Sequence, residues 1–459
     1  MIEQVLNERS VRCYRPVMSL TFNEPSSAPI DEAGFASADF TDPHTFDDPW
    51  ALYEWLRNLE HLHFDEVNKL YIAPRHEDVF HVSRETEFYV SGEGVRPAVA
   101  GDMSIITLDG PEHVAQRRLI NQGFTPRQVR QMVPHMRELA NQIIDEIAER
   151  GEIDFVEDFA MHVPLIIICE LMGLDPEKRK AMYRWSDDMM AGDGHVDAGN
   201  PYLERAAEAF GEYVTMCIEL IAQRRAEAAA GKEGEDLISV LTRAFDAGEL
   251  AKDHVAASGV DEETYARLQA EHDQLDDNDL LAFLAVLLVA GNETTRNAIS
   301  GGLIALSENP AQRQALIDNI GNDEFMATAV DELIRYVTPV LGFVRTVTQD
   351  HTYRNTELKA GDRVLMLYAS ANRDDRAIER PDELDLSRAS DHMAFGIGPH
   401  FCLGANIARA EVRTVFEELF TRLPDISVPE GTAIARGGST LVLSIEEVPA
   451  NFMKCPVAH

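Results

Sequence analysis

No run of about 18 apolar residues occurs in this 459-residue chain, so nothing in it reads as a membrane-spanning helix. The longest apolar stretch, Leu280 to Ala290, is too short to cross a bilayer. Basic charge is scarce. Against 79 Asp and Glu stand 41 Lys and Arg, a formal net charge of −38. That balance excludes a general nucleic-acid binder and repels anionic lipid. Paired cysteines are missing too. Cys13, Cys169, Cys217, Cys402 and Cys455 are scattered and no CxxC occurs. This argues against zinc sites and a disulfide scaffold, and for a reducing, cytoplasmic setting. There is no internal repeat and no low-complexity linker. No G-x-G-x-x-G opens a βαβ unit, so no nicotinamide or flavin domain is expected. Met1 to Pro16 is mixed and charged, unlike a signal peptide, and Met18 offers an alternative start. Residues 1–38 read as a partly disordered N-terminal extension before one domain over 39–459.

What is present is mostly helical periodicity. Apolar residues recur at helical spacing over Pro134 to Arg150, Pro201 to Ala230 and Glu324 to Tyr336. A long apolar helix begins near Asp279 and stops before Asn309-Pro310, where Asn-Pro favours a turn. Strand-like runs are short: Leu70 to Ala73, Arg363 to Tyr368 and Thr440 to Ile445. The expected fold class is mainly α with small β-sheets.

One cysteine stands in an unusual setting. Phe395-Gly-Ile-Gly-Pro-His-Phe-Cys-Leu-Gly404 is a glycine-rich loop that runs straight into a helix from Ala405. Glycines permit positive φ and close approach of another group. N–H groups of such a loop, and of the helix it opens, stabilise a thiolate. A thiolate held this way suits the axial position of a heme iron. A buried cysteine in a tight turn is the plainer alternative. The spacing FGxGxHxCxG resembles the heme-binding loop of bacterial soluble cytochrome P-450 monooxygenases. That resemblance implies heme b (iron protoporphyrin IX), with Cys402 as the iron ligand and Phe395, Gly396 and Gly404 shaping its loop. It implies the single cytochrome P-450 fold over nearly all the chain after Asp39, with heme between the central helix and the cysteine-loop helix. Gly248 to Asp276 is longer than the family's usual connection at that point.

Further blocks fit the same pattern. Ala290-Gly-Asn-Glu-Thr-Thr295 interrupts the central helix. A glycine there costs about 1 kcal/mol relative to alanine, which points to a close approach or a local groove. Alone, the block would read as a helix kink with a solvated glutamate. The resemblance makes Ala290 and Gly291 heme contacts, and Glu293 and Thr294 an acid–alcohol pair that delivers protons during dioxygen activation. Glu332-Leu-Ile-Arg335 is an i,i+3 pair that alone would be a weak surface ion pair. In the family, ExxR is a buried brace completed by a downstream arginine in a PERF-like stretch. Here that stretch reads Pro381-Asp-Glu-Leu384, a departure, and Arg388 is the candidate third partner. His113 and Arg117 lie at i,i+4 in a helix opened by Asp109-Gly-Pro111, and resemble the family's HxxxR propionate site. With Arg345 and His400 they complete a cationic cradle, arginine being well matched to carboxylates.

By the same resemblance the substrate pocket takes residues from Val95 to Ile106, then Leu287, Val340, Phe343 and Val344. Their apolar character implies a lipophilic substrate. Two blocks, Ala290-Gly-Asn-Glu-Thr-Thr-Arg-Asn297 and Arg118-Leu-Ile-Asn-Gln-Gly-Phe-Thr125, are similar to the actinobacterial branch that oxidises steroid side chains. Terpenoids, branched lipids and fatty acids stay open. The expected activity inserts one oxygen atom from O2 into a C–H bond, with electrons from a separate ferredoxin and ferredoxin reductase. Arg118, Arg127, Arg130, Arg409 and Arg413 are the expected docking face for an acidic ferredoxin, with scattered solubilising arginines as the alternative. A peroxide-driven peroxygenase and a non-catalytic heme sensor or binding protein are the rival readings. The first usually lacks the acid–alcohol pair, and the second has no need of it.

Overall fold

The computed structural model describes residues 32–97, 104–192, 199–232, 234, 236–246 and 277–454. The expectations for the first 31 residues and for 248–276 lie outside them. Helices carry the architecture. They are α1 (Trp50–Asn58), α2 (His76–Arg84), α3 (Gly110–Ile120), α4 (Pro126–Ile147), α5 (His162–Leu171), α6 (Arg179–Ala191) and α7 (Pro201–Ala229). Then come α8 (Asp277–Glu308), α9 (Asp323–Val337) and α10 (Ala405–Arg422). Among the described residues, no helix is long and apolar enough to cross a membrane.

Strands β1 (His63–Asp65), β2 (Leu70–Ala73), β3 (Tyr89–Val90), β4 (Gly342–Val347) and β5 (Arg363–Leu367) form one sheet in the order β1-β2-β5-β4-β3. Only the β2–β5 pair is parallel, with Leu70 opposite Arg363. The main core gathers α4, α5, α8, α9 and α10 around residues such as Ile144, Leu284, Leu303 and Phe416. Two smaller cores cover the two faces of the sheet. The central helix α8 packs on α5, α9 and α10, and the cysteine loop packs on the same core through Phe395 and Leu403.

Three expectations change. Helix α4 starts at Pro126, capped by Thr125, and runs through Pro134. Proline inside a helix removes a hydrogen bond and costs about 3 kcal/mol. Here the apolar face of Val129, Met136, Leu139 and Ile143 is buried on both sides of it and holds the helix together. The run from Thr440 to Ile445 makes a strand only from Ile445 onward. Upstream it is an irregular edge, tied by Leu341 N–H to Leu441 O at 2.9 Å and by a bridge between Val340 and Val442. The boundary at Asp39 falls too late, because Phe35 and Ala38 are already buried against α1.

One buried acid joins α10 to α8. Glu411 is enclosed, and its side chain bonds to Thr295. Burial pushes its carboxyl up to about 8, against an ordinary value of 4.5. The unfolded chain therefore loses this proton near pH 4.5 while the folded chain keeps it to about pH 8. Stability from this group is complete below pH 4.5 and falls steadily as pH rises through that window. By pH 7 the loss is about 3 kcal/mol. Glu411→Gln should remove it. Denaturant midpoints at pH 5 and pH 8 should differ less in the variant than in the parent protein; equal pH dependence would refute this assignment.

Candidate active site

The cysteine loop owes its shape to two glycines. Gly396 has φ +65° and Gly398 has φ +75°, and a side chain on Gly398 would sit 2.6 Å from Ser83 O of α2. The loop can therefore press against α2 and turn back on itself. Cys402 N–H donates to Phe395 O at 2.9 Å, which closes the loop. Burial raises the Cys402 thiol, but the N–H groups of Gly404 and Ala405, with Arg117 and Arg409, pull the other way. These are the groups that favour a thiolate at the start of α10. Arg117 also donates to Phe401 O, so α3 is fastened to the loop.

Beside the loop lies a basic pocket. The rings of His113 and His400 stack 4.2 Å apart. His113 is buried with its Nε2 lacking a partner among the described residues. Burial, with His400 and Arg117 beside it, pushes His113 down to about 4. Arg345 is buried as well, and among the described residues its guanidinium donates to Val344 O of its own strand at 2.9 Å. Buried cations and an orphaned ring nitrogen are costly unless a negative group meets them. Two ligand carboxylates would do so. His400 is positioned by Ser91 Oγ at 3.2 Å and by Asp109 at 3.7 Å. Burial alone would raise the Asp109 carboxyl; His400 and the N–H groups of Ser91 and Gly92 outweigh it and hold it below the usual range.

In the middle of α8, Ala290 is exposed while the following Asn292 and Glu293 are buried. The helix thus faces open space at Ala290, on the side where Thr294 Oγ1 donates to Ala290 O at 2.8 Å. Glu293 points elsewhere. It is fully buried, pairs with Arg296, and accepts from Asn297 Nδ2 at 3.4 Å. Arg296 reaches Asp187 of α6 at 3.7 Å. Burial lifts the Glu293 carboxyl to about 6 against the pull of Arg296, and its Oε2 lacks a partner among the described residues. Glu332, Arg335 and Arg388 form one network, with Arg388 Nε donating to Glu332 Oε1 at 3.1 Å.

Some candidates lie elsewhere. The missing side chain of Gly291 makes room for Ile168 of α5, which would meet a Cβ at 2.9 Å. Its cost is therefore explained by helix packing. Val344 is buried in the core on the opposite face of β4, with Leu52 and Ile72, because strand residues alternate. Phe343 and Arg345 keep the site-facing side. Leu287 is enclosed in the main core. Val95 is buried, with its carbonyl accepting from Val344 N–H at 2.8 Å, and Ile106 packs against the main core. Sequence reasoning missed Met190, Val289, Leu441 and Val442, which cluster with Val340 and Phe343. Only the apolar run around Leu441 hinted at them. It also missed the two residues that hold His400, Ser91 and Asp109; Asp109 had been noticed only as a helix start.

A cysteine in a loop of N–H donors, a buried basic pocket suited to two carboxylates and an exposed Ala290 bonded to the Thr294 hydroxyl in the central helix fit iron protoporphyrin IX. Cys402 would hold the iron, with His113, Arg117, Arg345 and His400 at the propionates. These are the features of a heme-thiolate protein. Residues 199–434 match the cytochrome P450 family model. A steroid C26-monooxygenase of Mycolicibacterium smegmatis is 31% identical over 402 residues, 87% of this chain and 92% of that protein. A methyl-branched lipid omega-hydroxylase of Mycobacterium tuberculosis is 32% identical, over 82% of this chain and 83% of that one. The crystal structure of a Mycobacterium marinum cytochrome P450 in complex with pseudoionone superposes with a TM-score of 0.76 at 30% identity, covering 93% of this chain and all of that one. The chain belongs to the cytochrome P450 family and is a heme-dependent monooxygenase.

Proposed function

We propose that this monooxygenase hydroxylates the saturated side chain of a sterol or a methyl-branched lipid, with electrons from a separate ferredoxin and its reductase. The observation that carries the substrate class is the apolar cluster of Met190, Val289, Val340, Phe343, Leu441 and Val442. Four segments of chain supply it, and it borders the site through Val289 beside Ala290 and Phe343 beside Arg345. An enclosure of this kind rewards a hydrocarbon and penalises a polar or charged end. The relatives named for steroid and branched-lipid hydroxylation support the same class.

Heme, when bound, supplies the oxygen activation, and the chain supplies position and protons. Thr294 offers a hydroxyl at the open face of α8. Glu293 lies within the helix packing, linked through Arg296 to the partly exposed Asp187. A carboxyl near 6 can both hold and release a proton around neutral pH. Thr294→Ala should raise hydrogen peroxide released per reductant consumed several-fold; unchanged coupling would remove the threonine from this role.

The docking face needs revision. Arg409 is paired with Asp331, and Arg413 with Asp323 and Glu417. Arg127 and Arg130 of α4 stay exposed. We assign the ferredoxin contact to that smaller group.

The substrate test is a titration of the ferric protein with cholest-4-en-3-one, terpenoids and fatty acids, followed at the heme Soret band. A saturable low-to-high-spin shift with the sterol is expected. A shift with terpenoids or straight fatty acids alone would discard the steroid and branched-lipid reading. Comparing turnover with a ferredoxin system against peroxide alone tests the electron source.

A further inference from the structure

Arg409 does something that a docking residue would not. It lies on the second turn of α10, and its guanidinium carbon sits 4.4 Å from the centre of the Phe395 ring. Phe395 is the residue whose carbonyl accepts from Cys402 N–H. The Arg409 charge therefore lies against the residue that closes the loop on Cys402, and it lowers the cost of the negative form of the sulfur. Asp331 of α9 fixes it there, with Arg409 Nε donating to Asp331 Oδ1 at 2.6 Å. His392, which precedes the loop, approaches the same carboxylate at 3.7 Å and lies against Phe395 at 5.7 Å. A surface ion pair between two free side chains contributes little. This one is held on three sides, by α9, α10 and the cysteine loop.

We propose that the Arg409–Asp331 pair sets the reduction potential of the heme through the charge it places behind Cys402. Reduction of the ferric heme adds one electron from an external donor and no proton. The thiolate-ligated site then becomes one unit more negative. A fixed cation favours that reduced form and a fixed anion opposes it. The two members of the pair therefore act with opposite sign, and the protein's potential is the balance between them. Both side chains are about a third exposed, so water and salt weaken each term without changing its sign. The stacked contact with Phe395 also means that the arginine cannot turn away to solvent without losing its cation–π partner.

The test is a spectroelectrochemical titration of heme-loaded protein, without substrate or ferredoxin. Arg409→Gln should lower the ferric/ferrous potential, shifting the equilibrium about tenfold toward ferric, or about 59 mV for one electron. Asp331→Asn should raise it. The double variant should return near the parent value, and Arg409→Lys should keep most of it. General damage to the loop would move both single variants the same way. Two shifts of one sign, or none, would overturn the proposal. If Arg409→Gln fails to load heme, Asp331→Asn alone decides, since its predicted rise is opposite to that expected of a loosened site.

Discussion

Arg335→Leu should destabilise the protein by about 3–5 kcal/mol, because it leaves a buried carboxylate with Arg388 as its one remaining cation and takes the donor from three backbone carbonyls. Arg335 and Glu332 are both fully buried on α9. The pair is bidentate, with Nε to Oε2 at 2.6 Å and Nη2 to Oε1 at 2.8 Å. The same guanidinium donates to Asn372 O at 2.7 Å, Pro381 O at 2.8 Å and Glu383 O at 3.3 Å. Glu332 also accepts from Asp385 N–H at 3.0 Å. One arginine thus satisfies carbonyls along the whole segment that leads to the cysteine loop. Asn372 carries the connection onward, since its Oδ1 accepts from Met393 N–H at 2.6 Å. Loss of Arg335 should therefore appear twice, as a lower denaturant midpoint and as a lower heme-to-protein ratio. Arg335→Lys should rescue little, because an ammonium lacks the planar fork that serves carboxylate and carbonyls together. A variant with the parent midpoint and full heme loading would show that the network braces nothing.

The residues that carry local chemistry were legible because each has a sequence signature. A glycine-rich loop before a helix, an i,i+4 His–Arg pair and an i,i+3 Glu–Arg pair can be read from spacing. Arg388 lies beyond a departure from the family pattern, and the geometry puts it on Glu332. What spacing cannot show is which face a residue takes once strands pair. Val344 and Phe343 are equally apolar neighbours, yet the register of β4 with β5 sends them to opposite cores. Gly291 illustrates the same limit on a helix. Its cost was visible, but the side chain that fills the space, Ile168, lies far away in sequence. The apolar residues Met190, Val289, Leu441 and Val442 meet only in three dimensions. Arg409 reads as part of a docking face in the sequence because its partner Asp331 is remote along the chain.

Cys402→Ser should abolish monooxygenase turnover to the level of a blank while leaving the chain folded. The substitution is small, and the loop does not depend on the sulfur. Its closure rests on Cys402 N–H to Phe395 O, which serine keeps, and on the positive-φ glycines Gly396 and Gly398. The brace at Glu332 and Arg335 lies outside the substitution too. What is lost is the thiolate that would hold the heme iron and the electron-rich sulfur that would tune its oxygen chemistry. A serine hydroxyl has neither the low pKa nor the soft sulfur, although the N–H groups of Gly404 and Ala405 would still point at it. The expected variant has the parent unfolding midpoint within about 1 kcal/mol, since serine is nearly isosteric with cysteine and the N–H groups of Gly404 and Ala405 still meet its hydroxyl. Its carbon-monoxide difference spectrum should lose the red-shifted band that thiolate ligation gives. Retained turnover, or a thiolate-type band in the serine variant, would mean that another group holds the iron. Of the other cysteines described, Cys169 and Cys217 are buried in the helical core, and burial pushes both thiols up to about 12. Neither can stand in for Cys402, so the spectrum of this single variant tests the assignment on which the whole site rests.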